Sequence, residues 1–223
     1  MPAKNDGPPD GRVVSVNVGR PREFTINGRP DASAIWKEPV QGRLAVTGVN
    51  IDGDDQADRK NHGGPDKAVY AYALEDYDWW SAELGRPIAP GTFGDNLTLA
   101  GLDVNGALVG ERWRVGNTVL EVAQPRLPCY KLANRMGDRT FARRFAAASR
   151  WGAYLRIIEE GDVAAGDPID VLSRPDHTVT VDLIARIYED DHSRAGELLA
   201  APQLPESWRS WALNAERRAN ASG

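Results

Sequence analysis

The chain is 223 residues long, 41% hydrophobic and 26% charged, with a formal net charge of -5. That is enough for one large or two small domains around a sizeable core. The mild acidity leaves no basic footprint for nucleic acid, no apolar run approaches the ~20 residues of a membrane span, and one cysteine excludes an intrachain disulfide. With no apolar signal core near the N-terminus, the expectation is a cytoplasmic protein.

Residues 1–11, rich in Pro, Gly and Asp, read as a disordered tail. Val14, Val16 and Val18 then alternate with Ser15 and Asn17, the pattern of a half-buried strand. Phe24-Thr25-Ile26 runs into Asn27-Gly28, a turn dipeptide that tolerates positive φ and predicts a hairpin. Short strands are expected at Ala34–Lys37 and across Arg43–Asn50, followed by a long polar loop from Ile51 to Asp66. Loops of that length inside compact domains are often functional. A strand over Lys67–Ala73 precedes a helix over Leu74–Leu84, which opens with Glu75 and Asp76 and stops at Gly85. Phe93–Leu99 reads as extended chain. Arg112–Val115 and Thr118–Ala123 form a hairpin around Gly116-Asn117. Helical stretches follow at Tyr130–Met136 and Thr140–Ala148, with strands at Ala153–Ile158 and Ile169–Leu172. Composition changes at Ser173–Asp176, after which three helices are expected: one carrying Val181, Ile184 and Ile187, one over Arg194–Ala201, and one over Pro205–Arg218.

The second strand of the hairpin leads into Gln124-Pro125-Arg126-Leu127-Pro128-Cys129-Tyr130-Lys131-Leu132, which holds the lone cysteine. A free cysteine is often only a small buried hydrophobe. Here Arg126 and Lys131 bring positive charge towards the sulfur, and such neighbours favour the thiolate. Other chemistries lack their residues. There is no phosphate-binding loop ending in Gly-Lys-Ser/Thr, no dinucleotide fingerprint after the first strand and no Gly-x-Ser-x-Gly elbow. One Cys and the scattered His62, His177 and His192 argue against structural zinc. The run Asp52–Asp58 fails the EF-hand pattern, because Ala57 stands where that loop needs Gly. His62-Gly63-Gly64-Pro65-Asp66 could let backbone amides approach an anion or be a plain turn. Asn96 could bind a ligand or cap a strand, and Ser33 and Lys37 could meet a phosphate or serve only their strand.

Taken in order, several of these segments resemble the MOSC family, named for the C-terminal domain of molybdenum cofactor sulfurase, and within it the YiiM-type proteins. The likeness runs through Ser33-Ala34-Ile35-Trp36-Lys37, Gly53–Asp58, His62–Asp66, Phe93–Leu97, Val109-Gly110-Glu111 and Gln124–Leu132. It covers nearly everything from Arg12 onward; Glu111 departs from the aspartate expected there. The resemblance implies a mainly β fold with α elements, a β-barrel-like domain over residues 12–174 and a small three-helix domain over 175–223. It implies binding of a molybdopterin-type molybdenum cofactor, with Cys129 as metal ligand and catalytic residue. Ser33, Lys37, His62, Gly63, Gly64, Asn96, Arg126 and Tyr130 become the implied cofactor contacts, with Asp66 a further candidate. The implied activity is reduction of N-hydroxylated compounds (hydroxylaminopurine-type bases, amidoximes or hydroxylamines) to amines, a detoxifying reaction with electrons from a separate flavoprotein. A homodimer is also implied. Two readings stay open beside it: a cofactor carrier without turnover, and a sulfur carrier using a Cys129 persulfide.

Overall fold

The computed structural model describes residues 10–26, 28–55 and 63–221. Residues 1–9 of the expected tail, Asn27, and residues 56–62 with His62 lie outside that range. In the first third of the chain the strands are β1 (Gly11–Val18), β2 (Arg22–Ile26), β3 (Arg29–Ser33), β4 (Glu38–Pro39), β5 (Leu44–Thr47) and β6 (Asn50–Ile51). Then come β7 (Val69–Ala73), β8 (Leu97–Ala100), β9 (Arg112–Val115), β10 (Thr118–Pro125), β11 (Ala153–Glu159), β12 (Gly161–Val163) and β13 (Pro168–Ser173). The helices are α1 (Leu74–Leu84), α2 (Tyr130–Met136), α3 (Phe141–Ala148), α4 (Val181–Asp190) and α5 (Glu206–Ala221).

Seven strands close into a barrel in the order β13-β9-β10-β11-β7-β8-β1, with β1 returning to β13 through Gly11↔Ile169. Closure removes the unpaired edges an open sheet would expose. Within this ring only β7 and β8 run parallel, joined through α1, the kind of crossover a parallel pair requires. All eight residues of β10 are buried, because β9 and β11 pair with its two edges while the core and the C-terminal helices cover its faces. Against the barrel an aromatic block of Tyr72, Tyr77, Trp80, Phe93, Phe141 and Phe145 joins β7 to α1 and α3. Edge-to-face and offset ring pairs of this kind add to the area they bury.

The mainly β architecture with helices is as the resemblance implied, and several local expectations change. Ala34–Lys37 is not a strand. Its carbonyls are taken by a helix instead: Arg135 of α2 donates to Ile35 O at 2.7 Å and to Lys37 O at 3.2 Å. Arg43–Asn50 is two short strands, turned at Gly48 with φ of 60° so that Thr47 faces Asn50. The extended chain expected from Phe93 begins only at Leu97, after a turn in which Gly94 has φ of 84°. The C-terminal segments have their own apolar cluster, with Ile184, Ile187, Leu198 and Trp208 buried. The middle one, His192–Ala200, is a 3-10 helix. Gly196 weakens the α-helical choice there, and its first turn is tied by Arg194 N–H to Asp191 C=O and by Ser193 N–H to the Asp191 side chain. Val181 and Ala185 belong to the barrel core, and Leu127 packs against both clusters.

Candidate functional site

The bulge between Val122 and Gln124 re-aims the end of β10, where Gln124 pairs with Tyr154 and Pro125 with Ala153. Bulges of this sort commonly lie beside functional groups. Beyond Pro125 the chain leaves the barrel, and Cys129 stands as the N-terminal cap of α2, its carbonyl accepting from Leu132 N–H at 3.0 Å. Two anchors fix the strand end. Gln124 donates to Asp66 O at 3.1 Å and accepts from Trp208 Nε1 at 2.7 Å.

Arg126 is buried beside the sulfur. Its Nη2 stands 3.9 Å from Cys129 Sγ, Nη1 donates to Leu127 O at 3.2 Å, and the guanidinium lies 5.7 Å from the centre of the Tyr70 ring. Burial works against its charge, but the Cys129 sulfur, Tyr154 and Tyr70 outweigh that and raise its pKa above the ordinary guanidinium value. The same pairing favours the thiolate form of Cys129. Around them Ser33, Lys37, Asp55, Lys67, Tyr70, Asn96, Lys131 and Tyr154 line a cleft of about 560 Å³, counting its solvent-open mouth.

Lys37 is buried and its ammonium is bonded to Asp54; burial lowers its pKa, with Asp54 opposing. Asn96 is held on all sides. Its Oδ1 accepts from Tyr70 N–H at 3.1 Å, and its Nδ2 donates to Asp54 Oδ2 at 2.9 Å and to Asn17 O at 3.4 Å. Asn96 thus positions Asp54, which positions Lys37. Lys131 reaches the other wall, donating to Ala32 O at 3.0 Å with Asp31 Oδ1 at 3.8 Å. With Arg135 it fastens α2 to the stretch that carries Ser33 and Lys37.

Of the expected site residues, Ser33, Lys37, Asn96, Arg126 and Cys129 meet in this one cleft. Gly63 and Gly64 do not line it; Gly64, at φ 94°, opens the 3-10 turn Pro65–Lys67 and accepts from Lys67 N–H at 3.0 Å. Tyr130 points elsewhere, half-exposed, with its hydroxyl on Asp31 Oδ2 at 2.6 Å. Asp66 pairs with Arg156 and is likewise outside the lining. Sequence reasoning missed Lys67, Tyr70, Tyr154 and Asp55 as lining residues. Lys131, two positions after the cysteine, reads from the sequence as positive charge near the sulfur, whereas Tyr154 reaches the site only because β11 pairs with β10.

Among the described residues no three His, Cys, Asp or Glu side chains converge to hold a metal. The arrangement offers one soft donor in a cationic, partly desolvated wall. It can hold an anionic group, or a soft metal whose other ligands come from outside the chain.

A MOSC domain family model matches residues 58–170. The chain is 37% identical over 201 residues to the protein YflK of Bacillus subtilis, covering 89% of this chain and 91% of that one. It is 35% identical over 204 residues to the protein YiiM of Escherichia coli, covering 87% and 88%. The crystal structure of YiiM from Geobacillus stearothermophilus superposes with a TM-score of 0.76 at 31% identity, covering 92% of this chain and 98% of that one. A protein of Gibberella moniliformis described as a reductase is 29% identical over 204 residues, 89% of this chain but 36% of its own length. Among the described residues no helix is long and apolar enough to cross a membrane.

Proposed function

Because the chain belongs to the MOSC domain family, we propose that it binds the molybdenum cofactor at Cys129 and reduces N-hydroxylated compounds to amines, with electrons from a separate flavoprotein. The observation that carries this reading is the Arg126-paired sulfur in a cation-lined cleft. The residues present fit the group. A soft thiolate donor suits a metal already held by the sulfurs of an organic ligand. Arg126, Lys67 and Lys131 suit the phosphate that such a ligand carries. A relative described as a reductase supports a redox role.

When bound, the cofactor supplies the two-electron removal of oxygen from the N–O bond. The protein does the rest. Arg126 sets positive charge beside the sulfur and fixes the direction of that contact, since its fork also grips Leu127 O. Lys131 and Arg135 lock the wall that carries Ser33. Tyr70, buried, and Tyr154, partly buried, have phenols whose pKa desolvation raises, and their rings dry the inner side of the cleft.

The test is metal analysis of wild type and Cys129→Ser, both purified from a cofactor-producing host, followed by amidoxime reduction with a chemical electron donor. We expect molybdenum in the wild type, at least a tenfold loss in Cys129→Ser, and turnover that follows the metal. Molybdenum absent from both, under conditions that load a control molybdoenzyme, removes the reading. Sulfane sulfur on Cys129 without molybdenum would replace it with sulfur transfer.

A further inference from the structure

The sulfur faces two openings. The first is the cleft described above. The second, of about 1050 Å³ including open solvent, lies between the barrel and the C-terminal helices. Cys129, Lys67 and Tyr154 line both, so the two openings flank the residue that carries the sulfur. Their far walls differ in chemistry. In the first the wall is Lys37, Ser33 and Lys131, whereas in the second it is Tyr188, Trp208 and Trp211.

That aromatic wall is built. Trp208 is pinned by its Nε1 to Gln124 Oε1 at 2.7 Å, and its ring meets Tyr188 edge-on at 5.3 Å and Trp211 at 5.6 Å. Tyr188 and Trp211 lie 5.2 Å apart. Three rings fixed against one another present flat, apolar surface to a cleft at little entropic cost on binding. With the cofactor in the first cleft, the second opening is the approach left to Cys129 for another reactant.

We propose that the C-terminal helices form the second wall of the active site, and that Trp211, Trp208 and Tyr188 are a specificity subsite for the planar aromatic part of the substrate. This rests on the cofactor occupying the first cleft. The subsite favours aryl N-hydroxylated compounds over aliphatic ones carrying the same reactive group. Stacking of a planar group on such rings is lost with the ring, so the loss of one ring weakens binding about tenfold.

The experiment compares benzamidoxime with acetamidoxime, which share the amidoxime and differ in the ring. Calorimetric titration of the full chain without electron donor gives binding free of turnover. We expect Trp211→Ala to weaken benzamidoxime about tenfold and acetamidoxime less than twofold, with Trp211→Tyr recovering most of the loss. Circular dichroism and thermal melts check that each variant folds. Equal effects on both ligands, or none, overturn the subsite. So does a change confined to KM for the protein electron donor, which would make this surface a donor-docking face. Selective aryl binding in a protein that never loads molybdenum would instead remove the cofactor reading while leaving the aromatic subsite standing.

Discussion

Arg126 is worth more to the site than its charge alone. A lysine would lack the fork that reaches both Leu127 O and the sulfur. Arg126→Met should slow alkylation of Cys129 by iodoacetamide about tenfold at neutral pH, because the thiolate population falls, and Arg126→Lys should recover only part of the rate. An unchanged rate in Arg126→Met would mean that the guanidinium does not activate the thiol. Asp95 gives a prediction in pH. Its carboxyl is fully buried, accepting from Tyr77 Oη at 2.5 Å, Thr98 Oγ1 at 2.7 Å and Asn17 Nδ2 at 3.2 Å. Burial raises its pKa above the ordinary 3.8, and the Tyr77 and Thr98 hydroxyls pull it back only in part. A raised acid pKa in the folded state contributes stability that is full below the unfolded value and is lost as pH climbs through the folded one. The stability advantage of wild type over Asp95→Asn should therefore shrink from acid to neutral pH. Urea midpoints across that range check it; an advantage that grows with pH contradicts it.

At the scale of elements, the sulfur is placed by a strand end, and the strand end is held by a helix outside the barrel. Trp208→Phe removes the indole donor and leaves the buried Gln124 Oε1 unsatisfied. That should cost about 1–3 kcal/mol, read from chemical denaturation, whereas a loss within error would show that water replaces the indole freely. How much of this was legible follows from what each element depends on. β9, β10, α1 and α2 stand where alternation, turn residues and caps put them, because their signals are local. Ala34–Lys37 failed as a strand because one α2 side chain, Arg135, distant in sequence, takes two of its carbonyls. The cleft divides the same way. Cys129, Arg126, Ser33, Lys37 and Asn96 carried motif-level signals, whereas Tyr70 and Tyr154 read as ordinary strand residues until β11 was paired between β10 and β7.

For the whole molecule, the barrel and the C-terminal helices share their fastenings. Arg156 bonds Asp66 beside the cleft, Glu121 Oε1 in the barrel at 2.9 Å, and Gln203 O beyond it at 3.0 Å. Trp151 Nε1 adds a bond to Asp182 at 3.1 Å. Parts coupled through part-buried polar groups and a shared apolar contact at Leu127 should unfold together, so calorimetry of the full chain should give one transition, with calorimetric and van't Hoff enthalpies equal. Two resolved transitions would make the helices an independent unit. The closure of the barrel bears on how the chain reaches this state at all. Beyond a short pairing with β4 at Asn17 and Val18, β1 finds its edge partners in β8 and β13, so its first residues, Gly11 and Arg12, wait for Ile169 and Pro168. On the ribosome the first strand to emerge is thus among the last to be completed, and its edge stays open while most of the chain is made. Pairings so distant in sequence slow folding. The yield of active protein should accordingly depend on synthesis rate and temperature more than its final stability would suggest.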